Sequence, residues 1–514
     1  MDIGTTLLIS VTSLIVIGIG AYIAYVVGKK HNSSDDWMVG GRSLPVYVVG
    51  FSQAATAVGG GVLVAHVGIA YAWGLSVFWY ELFVVAGMII ILLFAKWLHK
   101  GNFSTIPEIF TRIFGNSRVL LALIAIAVIL VPFGWLATQF VAFASLFGQV
   151  TGIAMTPLII VMALISVLFV LPGGLTSVAW SDFFFGVFMV IGSFIVAGFA
   201  IQRAGGLGEI FRNVPSEIAA VPQGFGAAGV MTILLWGFSI LPGTVTNQMY
   251  YQRIFAAKNV REGRQGIYIA AAGIILAGFY ALAIGLAVRA MNGSLGINGR
   301  EQAAGWFLGE IPSWLLALYG SFLMATIVST TGSALQSVVA NMVHDLRNAF
   351  VSEERLANTN TVSVSRWCTI AVTVVAALLA VLYPQALDLL VATYAYSASV
   401  LAVPLIAGMI LIKRGQIPVV VSYASMAAGL IGCGIAHIIG TNIPYAIFGI
   451  LASLVVFTIT YMAVKSQIKE PQLPNDAEDP NHSREVNKKP SQNKTKTPTT
   501  MRQDVSPDPA IVSG

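Results

Sequence analysis

Charged residues are scarce in this chain. Asp, Glu, Lys and Arg make up 10% of its 514 residues, 57% are hydrophobic, and the mean hydropathy is +0.82. No soluble domain has a core large enough to bury such a share of apolar side chains, so a soluble protein is excluded. The composition predicts an all-α polytopic membrane protein.

Cysteine is also nearly absent. Cys368 and Cys433 both lie in apolar segments, so neither a disulfide framework nor a thiolate metal site is implied. The first apolar segment, residues 5–28, is too long for the core of a signal peptide. It also lacks a small-residue cleavage site before its basic flank, so we predict a retained helix.

Thirteen apolar segments are long enough to be membrane spans. They lie near residues 5–28, 44–71, 74–98, 117–148, 155–172, 178–200, 226–246, 265–290, 313–338, 367–384, 387–412, 417–439 and 443–464.

The distribution of basic residues predicts the orientation. Sixteen Lys and Arg residues lie in one set of alternate loops and four in the other, with the remaining eight after the last span. The positive-inside rule therefore predicts an N-terminus outside and a C-terminus inside. The net charge of +6 reflects this topology, and nothing in it indicates a nucleic-acid partner.

The predicted organisation has four parts. Residues 1–43 form an N-terminal helix and cytoplasmic loop, 44–412 a core of spans 2–11, and 413–464 two peripheral helices. Residues 465–514 are rich in Pro, Asn, Lys, Thr and Ser and are predicted to be a disordered cytoplasmic tail. This tail is too short and too polar for a kinase or nucleotide-binding domain.

Two spans carry residues that weaken a helix. Gly59, Gly60 and Gly61 lie in span 2, and Pro242 and Gly243 lie in span 7. The glycines favour either a helix break or the close packing of another helix. If spans 2–6 and 7–11 are inverted halves, the two interruptions correspond, and such paired interruptions indicate a binding site near the membrane midplane.

Few carboxylates lie inside the spans. Glu81 is well inside span 3 and is interpreted either as a contact for substrate or cation or as a hydrogen-bonding residue between helices. Asp182 lies near the start of span 6, where it either benefits from the helix dipole or lies on the route of a cation. His66, on span 2, is interpreted as a hydrogen-bonding residue between helices.

Span 9 offers neutral oxygens. Ser329 and Thr330 are adjacent hydroxyls, and the carbonyl of Thr326 lies one turn earlier. Together they suit a hard cation. Back-bonding of each hydroxyl to the preceding turn is the alternative.

The chain resembles the sodium:solute symporter family. The residues that carry the resemblance lie in spans 1 to 11 and their loops; they are Gly40-Gly-Arg-Ser-Leu44, Gly173-Gly-Leu-Thr-Ser-Val-Ala-Trp-Ser-Asp182, Asn247-Gln-Met-Tyr-Tyr-Gln-Arg-Ile-Phe-Ala-Ala-Lys258, and Ser329-Thr330 followed by Gly332-Ser333. The resemblance implies a LeuT-like five-plus-five inverted-repeat core that couples sodium entry to solute uptake. It also implies a sodium site formed by Ala55, Val58, Thr326, Ser329 and Thr330, with Asp182 on its cytoplasmic side.

Departures from the family pattern bear on the substrate. Ala57 stands where proline transporters carry an acid, which disfavours proline, whereas Glu81 matches a sugar-contacting glutamate of the galactose transporter. Other sugar contacts of that transporter fall on Val62, Ile240 and Ile274, and its gating tyrosine falls on Gly243, so a sugar is doubtful. From the predicted direction of each side chain and its depth in the membrane, we expect the solute pocket to be lined by Ser52, Gln53, Thr56, Glu81, Trp236, Ser239, Tyr394, Tyr396 and Ser397.

The functional hypothesis is a transporter and not an enzyme. We expect sodium-coupled symport of a small polar organic solute, such as an amino acid or a carboxylate, across the plasma membrane. Sodium is co-transported, no organic cofactor is expected, and the lipid bilayer is the surrounding medium. Two alternatives stay open: a symporter-fold sensor that signals through a partner, and proton-coupled transport that uses Glu81.

Overall fold

The computed structural model describes residues 3–30, 33–297, 299–357, 359–383 and 386–468. The α-helices are α1 (Ile3–Lys30), α2 (Ser34–Val39), α3 (Val46–Ala57), α4 (Gly60–Trp73), α5 (Val77–Leu93), α6 (Ala95–Lys100), α7 (Ile106–Phe114), α8 (Arg118–Thr151), α9 (Met155–Val170), α10 (Gly174–Arg203), α11 (Leu207–Asn213), α12 (Ser216–Ala219), α13 (Val230–Val245), α14 (Gln248–Ala256), α15 (Val260–Met291), α16 (Ala303–Glu310), α17 (Ser313–Ala340), α18 (Arg347–Phe350), α19 (Glu353–Ala357), α20 (Thr361–Leu382), α21 (Ala386–Ser397), α22 (Val403–Leu411), α23 (Val419–Ile439) and α24 (Tyr445–Val464). The π-helical segments Asn341–Leu346 and Ala398–Ala402 continue α17 and α21, and short 3₁₀ turns join several other helices. The predicted tail lies outside the described residues from position 469 onward.

Eleven stretches of the described chain are long and apolar enough to cross a membrane, and α9 is a shorter apolar helix. The protein is therefore a multi-pass membrane protein, in agreement with its composition. Gly60–Leu93 counts as one of these stretches, although Gly74, with φ +49°, separates α4 from α5 within it. The thirteen spans, the orientation of the termini and the four-part organisation stay predictions.

The glycine run in span 2 lies at an interruption. α3 ends at Ala57 and α4 begins at Gly60, while Val58 (φ −103°, ψ 63°) and Gly59 (φ −68°, ψ 151°) are not helical. We call Val58–Gly59 the first break. Gly60 and Gly61 form the first turn of α4, so only one glycine of the three lies in the break itself.

The interruption in span 7 is displaced from its predicted position. α13 continues through Pro242 and Gly243 and ends at Val245. Thr246 and Asn247 then leave helical geometry before α14 begins, and we call this pair the second break. A proline removes only its own amide donor, so one turn beyond it the helix can still close. Here the amide of Thr246 reaches the carbonyls of Pro242 and Gly243 at 3.1 and 3.2 Å.

The two interrupted helices lie against α17, whose residues from Tyr319 to Ala340 are all buried. α3 packs against α10, α14, α15 and α17, and α4 packs against α8, α15 and α17. A short parallel bridge between Leu44 and Ala257 joins the start of α3 to the end of α14. Both breaks are thus held inside the bundle, the only place where open backbone is tolerated in a membrane.

Candidate functional site

Hydroxyls of α17 face the first break. The Thr330 hydroxyl donates to the Ala55 carbonyl at 3.0 Å, in the last turn of α3, where backbone carbonyls have no partner within the helix. A Cβ added at Gly59 would lie 3.0 Å from the Thr330 hydroxyl, and one at Gly60 would lie 2.9 Å from the Thr326 hydroxyl. The break therefore has no room for larger side chains.

The structure shows which of these hydroxyls bond back to the preceding turn. The hydroxyls of Thr326 and Thr331 bond back to their own helix, to the carbonyls of Leu323 and Ile327. Ser329 and Thr330 instead reach across to other helices. Thr326 can therefore offer its carbonyl, while Ser329 and Thr330 present hydroxyl oxygens beside the first break.

Asp182 is the centre of a second group of polar residues. It is fully buried on α10, eight residues after the helix start, so the benefit of a helix N-terminus does not explain it. Its carboxylate accepts hydrogen bonds from the hydroxyls of Ser329 (2.6 Å), Ser52 (2.8 Å) and Ser333 (2.9 Å).

Arg253 completes this group, and its position corrects the sequence prediction. Arg253 is one of the sixteen basic residues predicted to lie in the cytoplasmic set of loops, but every residue of α14 is buried, and Arg253 is only 1% exposed. Its Nη2 lies 3.3 Å from Asp182 Oδ2 and donates to the Thr56 hydroxyl at 2.9 Å. It also contacts the hydroxyls of Ser52 and Ser333. We refer to Asp182, Arg253, Ser52, Thr56, Ser329 and Ser333 as the Asp182 cluster.

A third group lies between the two breaks. Tyr394 is buried against Gly243, and its hydroxyl accepts a hydrogen bond from Trp135 Nε1 at 3.0 Å. The Trp135 ring lies 2.9 Å from the position of a Cβ at Gly59. Because Trp135 contacts Gly59 and Tyr394 together, this α8 side chain connects the first break to α21.

Several polar atoms near Tyr394 have no hydrogen-bond partner. The side chains of Thr244, Asn247 and Tyr250 surround the Tyr394 hydroxyl, but Thr244 Oγ1, Asn247 Nδ2 and the Tyr250 hydroxyl make no bond of good geometry. Gln139 accepts from the Gly61 amide at 3.2 Å, and its Nε2 is unpaired. We refer to Trp135, Gln139, Thr244, Asn247, Tyr250 and Tyr394 as the Tyr394 cluster.

Glu81 has a partner that the sequence interpretation did not assign to it. The residue is 3% exposed, and its Oε1 lies 2.7 Å from Nδ1 of His66, which is itself fully buried. Ser76 and Trp79, which lie a few residues before Glu81, donate instead to backbone carbonyls of residues 224–225. The two residues were considered separately in the sequence, although the turn at residues 74–76 brings α4 and α5 side by side.

The residues expected to line the solute pocket fall into several groups. Ser52 and Thr56 belong to the Asp182 cluster, and Ser397 bonds to Thr246 at the second break at 2.7 Å. Tyr396 points away, to Nδ1 of His437 at 3.0 Å. Trp236 packs edge-on to Trp73, and Ser239 and Gln53 are buried without hydrogen-bond partners.

The atoms at the first break that could hold a cation are oxygen atoms. Within the residues that the structure describes, no three His, Cys, Asp or Glu side chains converge on one point. A cation at the first break would therefore be held by backbone carbonyl and hydroxyl oxygens, with one carboxylate nearby. Such ligands suit a hard cation and disfavour a transition metal.

Known proteins share sequence similarity with most of this chain. The model of the sodium:solute symporter family matches residues 37–415. The sodium/glucose cotransporter of Vibrio parahaemolyticus is 25% identical over 404 residues, which cover 71% of this chain and 72% of that protein. The high-affinity proline transporter PutP of Bacillus subtilis is 26% identical over 376 residues, covering 70% and 77%.

Solved structures show the same fold. A Na⁺-coupled sialic acid symporter superposes with a TM-score of 0.76 at 18% identity, covering 91% of this chain and 99% of the other. Mhp1, a nucleobase-cation-symport-1 family transporter, gives a TM-score of 0.59 at 14% identity, covering 87% and 98%. The predicted LeuT-like fold is confirmed.

Proposed function

This chain belongs to the sodium:solute symporter family, and we propose that it couples sodium entry to the uptake of a small polar organic solute by alternating access. The observation that carries the proposal is the pair of α17 hydroxyls, Ser329 and Thr330, that reach out from their helix beside the first break. As a multi-pass protein of this family, it would act in the plasma membrane.

We place the sodium ion at the first break. Its ligands would be the carbonyls of Ala55, Val58 and Thr326 and the hydroxyl oxygens of Ser329 and Thr330. The two hydroxyls donate to Asp182 and Ala55, and on ion binding they would rotate so that their lone pairs face the cation. Five neutral oxygens, one of which (the Ser329 hydroxyl) contacts the Asp182 carboxylate, suit a monovalent hard cation. Neutral ligands also allow the cation to be released in each transport cycle.

The Asp182 cluster would lie on the cytoplasmic path of the ion. Asp182 attracts a cation, and Arg253 offsets that attraction. The paired charges keep this path electrically neutral when no ion is present. A buried carboxylate without partners would be costly, and the hydroxyls of Ser52, Ser329 and Ser333 that donate to Asp182 lower this cost.

The Tyr394 cluster is our candidate for the solute site. Buried polar atoms without partners are rare in folded proteins, and a group of them indicates a missing ligand or water. The unpaired atoms of Gln139, Thr244, Asn247 and Tyr250 lie between the two breaks, where transporters of inverted-repeat design bind their substrates. The side chains of the cluster are uncharged, which favours a solute with both donors and acceptors and little net charge.

The names of the relatives suggest which solutes to test for uptake. Proline and glucose transporters both match this chain. Ala57 lacks the acid of the proline transporters, and Val62, Ile240 and Ile274 lack the polar contacts of the galactose transporter. Because these departures leave the solute open, we propose uptake assays with a panel of amino acids, carboxylates, sugars and ureas that includes proline and glucose.

A proton-coupled variant is the second candidate. The buried contact between His66 and Glu81 favours it, because a histidine–carboxylate pair inside a membrane can take up and release a proton. In that case uptake would follow the pH gradient and would persist without sodium.

Uptake into proteoliposomes tests the sodium proposal. Ser329→Ala and Thr330→Ala each remove one of five proposed ligands, so the half-saturating sodium concentration should rise about 10-fold for a loss of about 1.4 kcal/mol. Solute affinity at saturating sodium should change much less.

Thr331→Ala is the matched control. It removes a buried hydroxyl from the same helix, one that bonds only to its own turn. Its sodium dependence should equal that of the unmodified protein. An unchanged sodium dependence in both the Ser329 and Thr330 variants would contradict the assigned site, and uptake without sodium would favour the proton-coupled candidate.

A further inference from the structure

An apolar groove runs between α10 and α15. Its first part is a cavity of about 300 Å³, lined among others by Phe51, Val58, Met189 and Gly273. A second cavity of about 290 Å³ shares Ser193, Leu276 and Tyr280 with the first. The two cavities therefore adjoin, and we refer to them together as the lipid groove.

The rim of the groove faces the membrane. Phe194 and Phe279 are 64% and 57% exposed and border the second cavity, and Tyr268, 61% exposed, is next to the lining residue Ile269. In a multi-pass membrane protein, the medium at these side chains is hydrocarbon.

Water is a poor occupant of this groove. A buried water needs two or more polar partners. The Ser193 hydroxyl already donates to the Val190 carbonyl at 2.8 Å, and the Tyr280 hydroxyl donates to Tyr319 at 2.8 Å. The remaining lining side chains are apolar, so a hydrocarbon chain fits the groove better than water does.

One end of the groove carries positive charge. Arg261, Arg264, Tyr268, Ala272 and Leu276 follow one another at intervals of three or four residues, so they lie along one face of α15. Both arginines are exposed, and neither makes a salt bridge within the described part of the chain. The face therefore changes from basic to aromatic to apolar as it enters the groove.

An aromatic group marks the membrane interface at the same end. The ring of Tyr47 packs against those of Trp180 and Phe183, and Phe51, which lines the cavity, packs against Phe183 at 5.6 Å. Tyrosine and tryptophan are typical of the level of the lipid headgroups. The positive-inside rule places this end of α15 on the cytoplasmic side.

We infer that the lipid groove binds one acyl chain of an anionic phospholipid from the cytoplasmic leaflet, with its phosphate at Arg261 and Arg264. The lipid would contact Phe51, Ala55 and Val58, and so would rest on the half-helix that ends at the first break. This inference does not depend on the transported solute or the coupling ion.

Native mass spectrometry of the whole protein tests it. The protein is released from nanodiscs of phosphatidylcholine with a minor share of phosphatidylglycerol, and the lipid that stays bound is identified. One phosphatidylglycerol should be retained in preference to phosphatidylcholine. The double variant Arg261→Gln/Arg264→Gln should reduce this retention by about 10-fold or more, because each basic residue near a surface contributes to anionic lipid binding.

A second variant fills the groove without changing charge. Ala272→Trp places a large side chain in the cavity and should also abolish retention. Arg118→Gln, at an exposed arginine at the start of α8, and Ala371→Trp, at an exposed position of α20, are the controls and should retain the lipid. Equal retention of both lipids, or retention in the test variants as strong as in the controls, would overturn the inference.

Discussion

Charge removal within the Asp182 cluster is the sharpest test of the ion path. Asp182 and Arg253 form a buried pair at 3.3 Å, each only 1% exposed at its side chain. Breaking such a pair by removing one partner costs about 3–5 kcal/mol, since the other charge stays buried. We expect the lower end, about 3 kcal/mol, for Arg253→Gln, because Asp182 keeps three hydroxyl donors.

The double variant Asp182→Asn/Arg253→Gln leaves no buried charge in the cluster. Its stability should therefore recover part of the loss, with a coupling energy of about 2 kcal/mol between the two positions. Thermal unfolding in detergent measures this. A loss of 3 kcal/mol lowers the midpoint by at least about 3 °C, given an unfolding entropy of about 2.1 cal/mol/K per residue.

Sodium affinity supplies a readout that a purely structural role would not move. Removing the positive charge of Arg253 should strengthen sodium binding several-fold, whereas Asp182→Asn should weaken it by a similar factor, since a charge acts on a nearby ion by about 1–2 kcal/mol at an effective dielectric constant near 20. Sodium-dependent stabilisation of the purified protein gives both affinities. Shifts of the same sign in the two variants, or stability losses that simply add in the double variant, would refute the reasoning.

Two further predictions concern Glu81 and the topology. Glu81→Gln should leave the solute affinity and the sodium dependence of uptake intact, because Glu81 pairs with His66 and is not part of the Tyr394 cluster. A loss of solute affinity of about 10-fold or more, the size of a charged hydrogen bond of about 1.5–3 kcal/mol, would instead place Glu81 at the solute. Glu310→Gln is the control, because this carboxylate pairs with Arg203 near a loop. If Glu81→Gln abolishes the pH dependence of uptake and keeps the solute affinity, Glu81 carries a coupled proton. If Glu81→Gln behaves like the wild type in both respects, Glu81 is structural. In a background without Cys368 and Cys433, a cysteine at Ser216 should react with a membrane-impermeant reagent added outside, whereas one at Ser363 should not; external labelling at Ser363 would reverse the predicted orientation.

The sequence by itself determined the membrane class and the family resemblance, and it marked residues 59–61 as a place where a helix break was one of two possibilities. These follow from properties that act locally along the chain. Hydropathy depends on composition within one segment, and a glycine run weakens a helix whatever it packs against. The hydroxyl pair Ser329 and Thr330 was recognisable for the same reason, because two residues in one helix turn keep their relative position.

Only the tertiary structure decided which side chains meet. The second break lies at Thr246–Asn247 rather than at Pro242. A helix continues past a proline when the backbone amides of the next turn can still bond to carbonyls of the preceding turn, as the Thr246 amide does here. Arg253 resembles a loop residue in sequence, yet packing of α14 against α3 and α17 places it on Asp182. A basic residue near a span end is compatible with either position, and only the neighbouring helices select one.

The pairing of His66 with Glu81 and the division of the expected pocket have the same origin. Depth along a helix can be estimated from the sequence, but the direction in which a side chain points depends on the rotation of each helix against its neighbours. Ser52 faces Asp182, Tyr396 faces His437, and Trp135 reaches the first break from a helix that carried no expected site residue. Contacts between residues far apart in the chain are set by packing, which no single segment encodes.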